Sequence, residues 1–336
     1  MPDFGMRERH RQATFRNESP TISVEGRSPN DDKGRRHGHL LALDYEEENL
    51  CPVLRGEEGA SRFLRDRGIK WWSSSRSGDR SGGTRPTRNL ASSQVACINF
   101  MLPLAGEPDA LAAALSAIDD DVDGNACIKN PATGTNSLVE IEWIGLDHAL
   151  EGPQHKTRGA NTTSIDAFLV AETASGRRAY LIEWKYVEDY RTRYLGDGSR
   201  GATRLRRYTD AYAASPFFPD STPVTAWFYE PFYQSMRQRL LADRMVRKGE
   251  HDVRDAKVVV VVPECNRAYR ERITSPALAK EFAHARTVAE VMQVATTSPG
   301  AGFACVSPGM LAEAVRRRCG TGVAEWSEYL SARYGW

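Results

Sequence analysis

Apolar residues along this chain repeat at two periods, and the switches between them outline its elements. From 137 to 145 they alternate, with Val139, Ile141 and Trp143 on one face and Glu140 and Glu142 on the other. That is the pattern of a strand with one polar face. TSIDAFLVAE (163–172) and RAYLIEWKYV (178–187) are strand-like runs on either side of Thr173-Ala174-Ser175-Gly176-Arg177, which predicts a hairpin. The run KVVVVVP (257–263) reads as a strand buried on both faces. Helices are predicted over 57–67 with Gly68 as the stop, from Ser92-Ser93-Gln94 through VACINFMLPL, over 106–120, near 202–214, and from about Tyr233 to Val246. In the C-terminal third GFACVS is a short strand, Ser307-Pro308 an N-cap followed by a first-turn proline, and Gly320 the next stop.

Residues 1–39 are polar and nearly free of apolar periodicity, so they are expected to be a disordered tail that cannot offset its ordering entropy. Residues 40–336 are expected to form a single α/β domain, with the Ser-, Gly- and Arg-rich stretch 73–88 as a mobile loop. Composition is that of an ordinary globular protein: 336 residues, 26% charged and 40% hydrophobic. The net charge of +1 carries no global sign of nucleic-acid binding, which leaves local patches to supply it. Arginines outnumber lysines, which suits phosphate recognition and is equally explained by coding bias. The six cysteines include no C-x-x-C pair, so free thiols in a reducing cytoplasm are expected. No secretory signal and no transmembrane span are expected.

The hairpin carries the candidate chemistry. Glu183 and Lys185 project from one face of the second strand, while Ile182, Trp184 and Tyr186 make the other face apolar. Asp166 lies on the partner strand, where antiparallel pairing can bring it near Glu183. Two carboxylates about 4 Å apart repel by roughly 4 kcal/mol at an effective dielectric near 20. A hard divalent ion relieves that repulsion, and oxygen ligands favour Mg²⁺ or Mn²⁺ over zinc. The nearby ammonium can orient or deprotonate a water, or neutralise charge building on a phosphate.

The Asp166…Glu183-x-Lys185 arrangement resembles the PD-(D/E)XK nuclease superfamily, with Ile165 standing where that motif has proline. SSQVACINFMLPL, VEIEW, TSIDAFLV, LIEWKYVE, FYEPFYQSMRQRLLA and VVVVVPECN together look like a bacterial family of restriction endonucleases within it, over roughly residues 60 to 310. The resemblance implies a restriction-endonuclease-like core, a mixed four-stranded sheet flanked by helices, with additional C-terminal helices. Strands 137–145, 163–172, 178–187 and 257–262 would supply that sheet in order. It implies Asp166 and Glu183 as ligands of Mg²⁺ (or Mn²⁺), Lys185 as the catalytic lysine, and one accessory residue among Gln94, Glu140 and Glu142, with Glu142 preferred as a further metal ligand. DNA is the implied substrate and a methyltransferase a candidate companion; oligomerisation is left open.

Two other readings stay open: a non-catalytic nucleic-acid-binding module on the same fold, and a repair or recombination nuclease without sequence preference. Against the metal site stands the plain alternative that Glu183 and Lys185 form a solvated cross-strand ion pair, worth under about 1 kcal/mol. Arg204 and Tyr208, one helical turn apart, are accessory or DNA-binding candidates, as is Arg237, with Gln234 and Gln238 beside it on the next helix. GDGSRG (196–201) matches a dinucleotide fingerprint only by chance, since no strand directly precedes it. His148 and His155 flank a loop near the site and make no metal-binding pair.

Overall fold

The computed structural model describes residues 3–27, 38–72, 83–146, 150–152, 162–295 and 302–336. Its helices are α1 (Phe4–Glu18), α2 (Ala60–Asp66), α3 (Ser93–Met101), α4 (Pro108–Ser116), α5 (Gly198–Ala213), α6 (Phe232–Lys248), α7 (Arg267–Arg270), α8 (Pro276–Glu281), α9 (Val288–Val294), α10 (Pro308–Cys319) and α11 (Ala324–Tyr334). Its strands are β1 (Val122–Ala126), β2 (Ile128–Lys129), β3 (Asn136–Ser137), β4 (Glu140–Trp143), β5 (Ile165–Thr173), β6 (Gly176–Trp184), β7 (Val253–Val261) and β8 (Phe303–Val306). His148 and His155 lie outside the described residues, as do 73–82 of the expected loop.

The centre is a mixed sheet of six strands, ordered β1-β5-β6-β7-β8, with β4 also on β5. The β5–β6 hairpin is antiparallel, while β7 and β8 run parallel to β6. The four strands expected from the sequence sit side by side within it; β8 widens it beyond β7, and β1 pairs with the far end of β5 along the edge that β4 also uses. VDGNA in β1 has no apolar alternation, so nothing in the local pattern marks it as a strand; its pairing with the end of β5 makes it one.

Helices cover both faces of the sheet. One core gathers Ile182, Trp184 and Tyr186 with residues of α3, α4, α10 and α11. The other gathers Ala179 and Leu181 with residues of α5 and α6. The valine run divides between them: Val259 and Val261 enter the first, Val258, Val260 and Val262 the second. A strand covered on both sides has no polar face to show, which is why it reads as an unbroken apolar run. Local stops and starts follow the chemistry of the chain: Ser92 caps α3 through the Val95 N–H, Ser307 caps α10 through the Met310 N–H, and Gly68 takes a φ of +62° after α2.

Three expectations are corrected. Much of the supposed tail is the ordered helix α1, which buries Glu8, Gln12, Phe15 and Arg16. Its apolar content is too small to signal a core helix, and it docks instead through polar groups: Gln12 donates to the Tyr186 hydroxyl at 2.8 Å and to the Arg333 carbonyl at 3.0 Å. The described end of the supposed loop is likewise anchored, with Arg88 fully buried and the Gly83 carbonyl accepting from the Trp71 N–H. Finally, Val139 and Ile141 enter the first core but Trp143 the second, stacked on Phe168 with centroids 5.2 Å apart. Glu142 has a φ of +50°, which breaks the strict alternation between them.

Candidate active site

Pairing register aligns three carboxylates across three neighbouring strands. Ile141 pairs with Ala167 and Trp143 with Ile165, which sets Glu142 opposite Asp166. Ala167 pairs with Ile182, so the next position sets Glu183 on the other flank of Asp166. Cβ atoms at directly opposed positions lie about 4.5–5.5 Å apart. Electrostatics follow from this row. Burial first, then the Glu183 and Glu142 charges, hold the Asp166 carboxyl well above the usual carboxylate range, against the opposing pull of Lys185 and of the Trp184 N–H. That N–H donates to Asp166 Oδ2 at 2.7 Å. Glu142, Glu183 and Lys185 are 8%, 2% and 6% exposed and Asp166 is partly buried, so the row lies largely out of solvent.

Glu183 is held on several sides. Lys185 Nζ donates to its Oε1, Gln234 Nε2 to the same oxygen at 2.6 Å, and Gln238 Nε2 to Oε2. Lys185 also donates to Gln234 Oε1 at 2.8 Å. Burial alone would lower the Lys185 pKa; the Glu183 carboxylate, with smaller contributions from Tyr190, Tyr269 and Glu188, outweighs it and raises the ammonium well above its ordinary value. A buried pair so arranged is not the solvated strand face of the plain alternative. Glu142 is held separately, by Gln94 Nε2 at 3.1 Å and by the Ser164 hydroxyl. Gln94 is fixed in turn by the Trp72 N–H, which donates to its Oε1 at 2.8 Å.

The carboxylates therefore share a row but not yet a focus, with Glu183 engaged by α6 and Glu142 by α3. Among the described residues no three His, Cys, Asp or Glu side chains are gathered into a ready metal cage. The donor set still suits a hard divalent ion: it is all oxygen, and its charges repel. Mg²⁺ in phosphate chemistry is commonly held through one or two carboxylates, with water and substrate oxygens completing its shell.

The other candidates separate by environment. Glu140 leaves the site: it is fully buried, ion-paired to Arg67 at 2.8 Å, and accepts from Asn130 and Ser137. Tyr208 is 2% exposed in the second core and donates to Glu151 at 2.9 Å, which places it behind the surface rather than on it. Arg204 donates to the Leu195 carbonyl at 2.6 Å, and its guanidinium lies 5.5 Å from the centroid of the Tyr233 ring. Arg237 sits over the same ring at 4.9 Å. GDGSRG opens α5, and its last glycine is needed for packing, because a Cβ on Gly201 would fall 1.8 Å from the Gly196 carbonyl oxygen.

Glu230 and Ser164 belong to the site without having been foreseen. Glu230 accepts from the Gln234 N–H at 3.3 Å, and burial raises its pKa against the pull of Arg237 and Lys185. The spacing 230, 234, 237, 238 along the start of α6 was the available signal. Ser164 had none, since a serine at a strand entrance is commonplace.

A family model described as restriction endonuclease associating with ARP matches residues 8–335. The chain belongs to that family. No curated protein and no solved structure matches it. The match takes in most of α1, from residue 8 onward, consistent with a helix built into the body of this restriction-endonuclease family member. It also makes the chain a restriction-endonuclease-type enzyme. No helix among the described residues is long and apolar enough to cross a membrane.

Proposed function

We propose that this protein is a divalent-cation-dependent DNA endonuclease of the PD-(D/E)XK type, with Asp166, Glu183 and Lys185 at its centre. The supporting observation is the cross-strand row Glu142–Asp166–Glu183, with Lys185 bonded to its last member. Asp166 and Glu183 would hold Mg²⁺ or Mn²⁺, with Glu142 adjoining. When bound, the ion supplies Lewis-acid stabilisation of the phosphoryl oxygens and eases ionisation of attacking water. Gln234 and Gln238 fix the direction of Glu183. Lys185, as an ammonium in a water-poor setting, stabilises negative charge on the phosphate, where a fixed cation is worth more than in bulk solvent.

The family description supports a companion called ARP, and a methyltransferase encoded beside this chain would favour restriction over repair. To test the proposal, purified protein is incubated with plasmid, linear and single-stranded DNA in Mg²⁺ or Mn²⁺. Cleavage by the wild type and its loss in Lys185→Ala are expected. No wild-type cleavage, or equal cleavage by the variant, removes the enzyme reading.

A further inference from the structure

Immediately after the catalytic strand the chain changes character. Between Tyr190 and Arg207 it carries six arginines and one aspartate, in a protein whose net charge is +1. Arg191, Arg193, Arg200 and Arg206 are exposed. None of the four forms an ion pair or side-chain hydrogen bond among the described residues. Arg177, Arg178 and Arg272, by contrast, are matched to Glu172, Asp121 and Asp189.

The arginines of α5 connect to the site through side chains already in place. Arg200, Arg204 and Arg207 recur at helical spacing along one side of α5. Arg204 and Arg237 both approach the Tyr233 ring, at 5.5 and 4.9 Å from its centroid. The buried Nε of Arg237 has no hydrogen-bond partner. Three positions before it on α6, about one helical turn, Gln234 bonds both Lys185 and Glu183. Positive charge thus runs from the catalytic lysine over Tyr233 and out along α5.

We infer that this track, Arg237–Arg204–Arg200 with Arg191 and Arg193 beside it, carries the phosphate backbone of duplex DNA away from the cleavage site. The inference rests on the nuclease reading for its substrate. Guanidinium groups fit phosphate oxygens in a planar fork, and unpaired arginines bind without first breaking an ion pair. Such contacts position the duplex and read no sequence.

The test measures affinity for a DNA duplex by fluorescence anisotropy across a salt series, with Ca²⁺ replacing Mg²⁺ to suppress cutting. Each phosphate contact contributes about 0.9 to the slope of log K against log salt, so Arg191→Gln/Arg193→Gln/Arg200→Gln should lower the slope by about 3 and weaken binding about a hundred-fold near 0.15 M salt. The triple Lys variant should restore most of the slope. A charge-matched control on the opposite face, Arg7→Gln/Arg9→Gln/Arg318→Gln, should bind like the wild type. An unchanged slope in the triple Gln variant at 191, 193 and 200, or an equal loss in the control, overturns the track. A duplex RNA of the same length should bind more weakly; equal or tighter binding overturns the assignment to DNA. These readouts do not depend on cleavage, so a protein that binds along the track yet cuts nothing would refute the nuclease reading and leave the track standing.

Discussion

Asp166→Asn should make the metal-free protein more stable while abolishing its activity. Asparagine keeps an oxygen to accept the Trp184 N–H and removes the charge between Glu142 and Glu183. At a separation of about 6 Å and a dielectric near 20, each like-charge pair costs roughly 2–3 kcal/mol. Losing both repulsions and the attraction to Lys185, of similar size, leaves a net gain of about 2 kcal/mol. The pH dependence has a definite sign. The folded Asp166 pKa lies above its unfolded value, so the folded state keeps its proton longer, and wild-type stability falls as pH rises from about 4 toward the folded pKa. The variant should lack that fall. Thermal melts in EDTA at low ionic strength, over a pH series, are the assay; the midpoint should rise by a few degrees at pH 7.5. Mg²⁺ at a hundred times its Kd should then stabilise the wild type by about 2.7 kcal/mol and the variant hardly at all. A variant that melts no higher than wild type in EDTA, with an undiminished Mg²⁺ response, would refute the reasoning.

Lys185→Ala should cut cleavage by about 10²–10⁴-fold and destabilise the fold by about 3–5 kcal/mol, since Glu183 would keep only its glutamine partners; urea denaturation and single-turnover cleavage measure the two effects. Glu140→Gln should cost a similar amount through the stranded Arg67 yet leave Mg²⁺ affinity unchanged by titration calorimetry, separating the buried ion pair from the site. Tyr186→Phe deprives Glu8 and Gln12 of their shared hydroxyl; about 1–3 kcal/mol should be lost, and amide exchange in Phe4–Glu18 should accelerate ahead of the rest of the chain.

Much of the central sheet is visible in the sequence because its strands meet a simple demand. β6 must be apolar behind Glu183, so Ile182, Trp184 and Tyr186 show it, and β7 must be apolar on both sides, so its valines do. The Asp166–Glu183 juxtaposition is visible because hairpin register follows from the turn between them. What escapes local patterning is held by distant partners. α1 docks through Glu8 and Gln12, which in sequence look like any solvated residues. Glu140 and Glu142 are equivalent by alternation, and only Arg67 on one side and Gln94 on the other divide them. Tyr208 looks functional because spacing cannot tell a helix face turned to the core from one turned to a ligand.

The grip on Tyr186 bears on how this protein is made. Its hydroxyl is bonded by Glu8 and Gln12, its ring is met edge-on by Tyr334 and Trp336, and Gln12 reaches a carbonyl 321 residues away. Contacts between such remote positions close slowly. The bracing behind the strand bearing Glu183 and Lys185 is therefore completed only once the ribosome has released α11, although Phe100 of α3 can meet Trp184 earlier.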